Sequence, residues 1–238
     1  HQGAVDLMPN LTVLSSNFGD DRWGNKTLME WVNKIAPDVV ISWLDPQGMG
    51  GYGWSEVPLF MWDPVDTWPV AKAEMAILQR ARKIMVPSKW GMEVLEKQGL
   101  ECSYLPGGID LNIYDISAEG RERWRKQLRP EISDDTFLIG SGGLNTGSPD
   151  RKGYGFEFDA IKLFKERNPD ADFRVYIHTN AQGDGMSMNL YELRDELELT
   201  DTISFCRPQG ASSESPLFMR DMYNAFDVLL HAGMCEGI

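Results

Sequence analysis

The stretch SGGLNTGSPDRKGYGFEF, residues 141–158, sets glycines at 142, 143 and 147 ahead of an adjacent arginine and lysine, Arg151 and Lys152. Glycines without Cβ atoms let backbone amides come close to an anion. A forked guanidinium beside a mobile ammonium can then neutralise two phosphate groups. The stretch joins an apolar strand-like run, TFLIGSG, to an apolar-periodic run, FEFDAIKLFKER. A helix starting near Gly153 would turn its free N–H groups and positive dipole end toward the same place. Spacing excludes two other phosphate loops. A Walker loop needs glycine directly before Lys-Ser or Lys-Thr, whereas Arg151 precedes Lys152 and Gly153 follows it. A dinucleotide fingerprint counted from Gly140 and Gly142 would need glycine at Asn145, and an acid ending the next strand, which instead ends IHTN.

Strands and helices alternate on either side of this loop. In the first half the pattern predicts a strand at LTVLSS and a helix at NKTLMEWVNKIA, where Leu28, Trp31, Val32 and Ile35 form one apolar stripe. DVVISWL reads as a buried strand, the glycine-rich DPQGMGGYGW as a loop, and VPLFMW as a strand. A helix at PVAKAEMAILQRAR, with proline in its first turn, precedes strand KIMVP. Helix SKWGMEVLEKQ, with Ser88 as N-cap and Gly99 as stop, leads to strand CSYLP. The turn-rich GGIDLNIYDISAEG places a domain boundary near residue 110, giving domains 1–110 and 111–238. Helix AEGRERWRKQLR falls in the linker or opens the second domain. After TFLIGSG come helix FEFDAIKLFKER, strand DFRVYIHT, helix NLYELRDELEL, strand TISFC, helix PLFMRDMYNAF and strand DVLLHAG.

Such alternation requires α/β domains with parallel sheets and right-handed crossovers. In the second domain the first strand should be central, with the second and third on one side and the fourth on the other. Ligands bind beyond the carboxyl ends of the strands at that reversal. Topology thus brings Gly142, Gly143, Asn145, Arg151 and Lys152 to one crevice with Glu236, which follows the fourth strand.

Composition limits the partners. With 23 basic and 36 acidic side chains the net charge is −13, which argues against a general nucleic-acid or anionic-membrane surface. A small anion remains possible where cations are concentrated. Cys102, Cys206 and Cys235 are odd in number and far apart, so reduced thiols are expected. No run approaches the roughly 18 apolar residues of a membrane span, and no secretory signal is visible, so a cytoplasmic protein is expected. The chain opens on His1 and stops at CEGI, which reads as a piece of a longer protein.

Three segments in order carry a resemblance: PSKWGMEVLEKQGL…LPGGIDLNIY, LNTGSPDRKGYGFEFDAIKLFKERNPDADFRVYIHT, and MYNAFDVLLHAGMCEGI. Together they resemble the family-4 retaining glycosyltransferases, from about Leu28 to the last residue. The resemblance implies a GT-B fold of two Rossmann-like domains, both incomplete here. The first would serve the acceptor and lack its opening strand; the second would serve the nucleotide sugar and lack its C-terminal part. It implies transfer of a sugar from a nucleotide-diphosphate donor, with retention, in carbohydrate biosynthesis. No metal or cofactor is implied, the donor being a substrate, and the acceptor would be a sugar, lipid or protein. Arg151 and Lys152 would neutralise the diphosphate, Glu236 with Gly237 would hold donor-sugar hydroxyls, and the backbone near Cys206 and Arg207 would face the base. The sequence departs from the family pattern in three places: Ile238 stands for phenylalanine, HAGM for Pro-Ser, and the second glutamate of the pair lies beyond the last residue. A sugar-nucleotide epimerase of the same architecture, or a non-catalytic remnant, are the alternatives.

Smaller signals have ordinary readings beside functional ones. His178 and Thr179 are donor-binding candidates at the crevice edge; His178 and His231, which end strands there, read as bases or as hydrogen-bonded structural histidines. Asp66 is the acceptor-side candidate, while Asp63, directly before proline, is explained by turn chemistry. Trp54 and Trp68 are candidate sugar platforms. Trp23, Trp31, Trp43, Trp62 and Trp90 are expected in the core.

Overall fold

The structure is a computed structural model and describes residues 4–14, 23–50, 52, 56–128, 132–146, 150–206 and 214–234. The chain forms two compact units, one running to Gly107 and the next beginning at Gly108. No helix among the described residues is long and apolar enough to cross a membrane. Cys102 and Cys206 carry free thiols.

The first unit opens with a hairpin of β1 (Ala4–Met8) and β2 (Leu11–Leu14), paired antiparallel. The sequence pattern gives no strand before Leu11. Only the two residues Pro9 and Asn10 separate the strands, and both carry turn chemistry. Helix α1 (Asn25–Ile35) follows, and then a parallel sheet of β3 (Val40–Trp43), β4 (Leu59–Trp62), β5 (Lys83–Val86) and β6 (Ser103–Tyr104), in that spatial order. Helices α2 (Lys72–Leu78) and α3 (Lys89–Lys97) make the later crossovers. Ser88 caps α3 by accepting the Gly91 N–H at 3.0 Å, and Gly99 beyond its end takes φ 84°, as the sequence predicts. Helix α2 begins past Pro69, so that proline lies outside it.

Met61, Leu78, Val86 and Leu95 form the dry centre of this unit. A sequential strand order with right-handed crossovers puts successive helices on one face. The other face carries Ile41 beside Phe60 and Trp43 beside Trp62. The expectation of a buried strand at β3 is therefore corrected: Ile41 is 63 % and Trp43 50 % exposed. Trp43 instead meets Trp62 edge to face, ring centroids 4.0 Å apart, and the Trp62 indole donates to the Leu105 carbonyl. Trp23 and Trp90 are also exposed, against expectation, and Trp31 is half-buried. Trp54 lies outside the described residues, and Trp68 is exposed.

The second unit opens with α4 (Ala118–Arg125), which is part of its body rather than a linker. Trp124 is buried against Tyr176, Phe218 and Phe226. Arg121 and Arg125 reach across to the two carboxylate oxygens of Asp227 at 2.6 and 2.7 Å, and the Leu138 N–H donates to the second oxygen. Burial opposes the Asp227 charge, yet the Leu138 N–H and the two guanidiniums hold it below the usual carboxylate range. The sheet comprises β7 (Phe137–Gly142), β8 (Phe173–His178), β9 (Ile203–Phe205) and β10 (Val228–Leu229). Helices α5 (Tyr154–Arg167), α6 (Leu190–Glu196) and α7 (Pro216–Ala225) connect them. All pairings are parallel, in the order β10-β7-β8-β9 predicted from the alternation. Phe158, Val175, Ile177 and Leu190 fill one face of the sheet. Trp124, Leu138 and Met222 lie in the core on the other.

Candidate active site

The reversal of strand order lies between β7 and β10, so the chain segments leaving those two strands must meet. They do. The Leu230 N–H donates to the Gly140 carbonyl at 2.7 Å, and the Met234 N–H donates to the Arg151 carbonyl at 2.9 Å. Gly153, the N-cap of α5, has φ 73°, and a Cβ there would overlap the Ala232 carbonyl. Glycine is thus required twice at this position, by backbone conformation and by close approach. A Cβ at Gly140 would likewise run into the Phe226 ring.

Glu157 ties the two segments together from beneath. It shares the inward stripe of α5 with Tyr154, Phe158 and Ile161 and is 1 % exposed. Its carboxylate accepts from Ser141 Oγ at 2.7 Å on β7 and from the Ala232 N–H at 3.1 Å after β10. Burial pushes its pKa up, while those two bonds and nearby His231 pull it down; the net shift is upward. Sequence reasoning passed over this residue. Its signal is a charged side chain at a core position of an otherwise apolar helical stripe.

The loop after β7 is held from the other side. The Gly143 carbonyl accepts from Tyr154 Oη at 2.7 Å and from Thr179 Oγ1 at 2.6 Å, and the Gly143 N–H donates to the His178 carbonyl. Burial pushes the Tyr154 phenol up to about 12, so it stays a donor. Lys152 lays its stem over Gly143, where a Cβ would stand 3.2 Å from Lys152 Cδ. Arg151, exposed, and half-buried Lys152 line a groove of about 280 Å³ with Leu144, Asn145, Thr146 and Asp150. Met186, Ser187 and Met188 also line it.

The predicted residues divide by what they touch. Arg151 and Lys152 line the groove, Gly143 lies under the Lys152 stem, and Gly142 ends β7 against His178. Asn145 is there too, but it is buried and its Nδ2 donates to the carbonyls of Asn180 and Met188, at 3.1 and 2.8 Å. Its amide hydrogens pin two loops rather than facing an anion. The expectation of free N–H groups at the start of α5 is also corrected in part. Asp150 Oδ2 accepts the Gly155 N–H at 2.8 Å, so a carboxylate already caps that end. Thr179 is spent on Gly143. The Cys206 thiol donates to the Thr179 carbonyl at 3.0 Å, and burial pushes its pKa up, which keeps it protonated at neutral pH. His178 faces Tyr176 and Phe218; burial lowers its pKa against the opposing pull of Glu214, leaving a neutral ring. Among the described residues nothing bonds its Nδ1. His231 is exposed beside Glu157. Arg207, Glu236 and Gly237 lie outside the described residues.

In the first unit Asp66 lines a smaller groove beyond the carboxyl ends of β3 and β4, with Asp45, Asp63 and Glu74. Asp63 is its buried member, 3 % exposed. Burial first, then the charges of Asp45, Glu74 and Asp66, raise it to about 7. The turn expected before proline is present, the Asp63 carbonyl accepting the Val65 N–H at 3.0 Å.

No protein-family model matches the chain, and no curated protein sequence matches it. Solved structures do, on fold. HepE of Anabaena, in complex with UDP and glucose, superposes with a TM-score of 0.63 over 87 % of this chain and 56 % of its own, at 14 % identity. An α,α-trehalose-phosphate synthase (UDP-forming) from Burkholderia vietnamiensis gives 0.60 over 90 % and 55 %, at 11 % identity. The UDP-GlcNAc 2-epimerase of Neisseria meningitidis bound to UDP-GlcNAc gives 0.58 over 94 % and 61 %, at 12 % identity. The chain has the α/β architecture of the GT-B type. It spans a little over half the length of these structures. Its two parallel four-stranded sheets correspond to the paired Rossmann-like domains of that fold.

Proposed function

We propose that this chain belongs to a glycosyltransferase that moves a sugar from a nucleotide-diphosphate donor to an acceptor with retention of configuration, with the diphosphate held at the β7–β10 crevice. The observation that carries the reading is the junction at Arg151–Gly153, where the segment after β10 is hydrogen-bonded to the turn that presents both cations. Donors of this class leave as a nucleoside diphosphate, and negative charge grows on it in the transition state. Fixed cations therefore assist the chemical step as well as binding. Arg151 supplies the forked donor and Lys152 the point charge. Glu157, Tyr154 and Thr179 are positioning residues that hold the two loops at fixed separation. Glu236 is proposed to hold donor-sugar hydroxyls. That the solved structures of this fold hold UDP or UDP-sugars supports the donor class.

Titration calorimetry with UDP and UMP tests the reading. UDP should bind and UMP much more weakly. The paired Arg151→Ala, Lys152→Ala variant, checked for folding by circular dichroism, should lose at least about 2 kcal/mol, a factor of about thirty in Kd. Unchanged UDP affinity in that variant contradicts the proposal. An epimerase is the second reading, favoured by the likeness to the 2-epimerase. Incubation with UDP-GlcNAc and no acceptor, followed by NMR, separates the two, since only an epimerase yields an epimerised sugar nucleotide.

A further inference from the structure

The groove beyond β3 and β4 has an electrostatic character opposite to that of the Arg151–Lys152 crevice. Asp45 follows β3, Asp63 follows β4, Asp66 lies in the loop behind it, and Glu74 stands in the first turn of α2. The backbone of Asp63 is fixed: its N–H donates to the Met85 carbonyl at 2.9 Å and its carbonyl accepts the Val65 N–H at 3.0 Å. Its carboxylate is another matter. The residue as a whole is 3 % exposed and lines the groove, and its side chain receives no hydrogen bond from any described residue. Each neighbouring charge that acts on it is a carboxylate, from the loop after β3, from α2 and from its own loop; no described lysine or arginine offsets them. A buried carboxylate is normally paired or hydrogen-bonded, so this one marks a place where a donor from outside the chain belongs.

We propose that this groove binds a primary ammonium group, with Asp63 as its central hydrogen-bond acceptor. An ammonium brings three N–H donors and a positive charge, which satisfies Asp63 and relieves its repulsion with Asp45 and Glu74. The free space, about 60 Å³, suits a single small head group rather than a whole sugar ring. Among the described residues no three acidic, histidine or cysteine side chains are arranged to hold a metal ion, which favours a hydrogen-bonding cation. An amino sugar and a linear polyamine both carry the required group. Resting on the transferase reading, the inference makes the ammonium part of the acceptor; the binding itself does not depend on that reading.

Calorimetric titration of the 238-residue chain at low ionic strength with ethanolamine, and with ethylene glycol as its uncharged counterpart, tests the site. Ethanolamine should bind with one-to-one stoichiometry and ethylene glycol should not. Asp63 titrates near 7, so its ionised fraction rises from about a tenth at pH 6 to about nine-tenths at pH 8, and affinity should rise about tenfold over that interval. Asp63→Asn should abolish this pH dependence, and Asp45→Asn should weaken binding by a smaller factor. Glucosamine against glucose, and putrescine, titrated at pH 7, distinguish the two sources of the head group. No saturable ethanolamine binding, equal binding of ethylene glycol, a pH-independent affinity, an Asp63→Asn variant that binds as before, or tighter binding of Mg²⁺ at the same site each overturns the proposal. UDP titrated into the same sample keeps the two readings apart. UDP binding without ethanolamine binding removes only this inference, and ethanolamine binding without UDP binding removes only the transferase reading.

Discussion

At the scale of single residues, Asp63 and Glu157 show how burial alters a carboxylate. Both sit where a charge is costly, but Glu157 has two donors and Asp63 has none among the described residues. For Asp63 the sign of the pH effect follows directly. Its folded pKa, about 7, lies above the unfolded carboxylate value, so the folded state holds the extra proton. Its contribution to stability is complete below about pH 4 and lost as pH rises toward 7, by at most about 1.4 kcal/mol per pH unit. Urea unfolding midpoints between pH 5 and 8 should therefore fall less steeply in Asp63→Asn than in the parent chain. Parallel pH profiles for the two proteins would contradict the assignment. Neither carboxylate was legible as special in the sequence. Asp63 precedes a proline, which supplies a sufficient local explanation, and its exposure to Asp45 and Glu74 arises only when β3, β4 and α2 are assembled. Glu157 was better signalled, since it interrupts an apolar stripe.

At the scale of elements, the alternation of strands and helices carried most of the fold. The order β10-β7-β8-β9 follows from handedness once the strands are recognised, and with it the meeting of the β7 and β10 segments. What periodicity could not supply is which faces are covered. Ile41 and Trp43 look like core in a sequence that alternates as it should, yet they stand on the face opposite the core of the first unit. Helix α4 was equally ambiguous, because the residues that fix it, Arg121 and Arg125, find their partner at Asp227, about a hundred residues away. Two glycines offer a test at this scale. Gly99 and Gly153 both have positive φ, but a Cβ meets nothing within 4 Å at Gly99 and the Ala232 carbonyl at Gly153. Gly99→Ala should cost about 1 kcal/mol from backbone conformation alone. Gly153→Ala should cost about 3 kcal/mol or more, because the overlap adds to that strain, and should also weaken UDP binding. Urea denaturation of both variants checks this; equal losses would show that the contact with Ala232 does not matter.

At the scale of the whole molecule, a chain of net charge −13 carries two grooves of opposite sign, one in each unit. The acidic excess is unfavourable to general polyanions, while Arg151 and Lys152 place positive charge beside the crevice that the strand reversal creates. The cationic groove was readable because a basic pair and topology point to the same spot. The acidic groove was not, since nothing in the local sequence sets Asp63 apart from other acids before a proline. Amide ¹H–¹⁵N spectra recorded as UDP is added test the donor-side assignment most directly. The largest shifts should fall on Gly142, Gly143, Arg151, Lys152, Gly153 and Met234; shifts confined to the first unit, or none at saturating UDP, would contradict it.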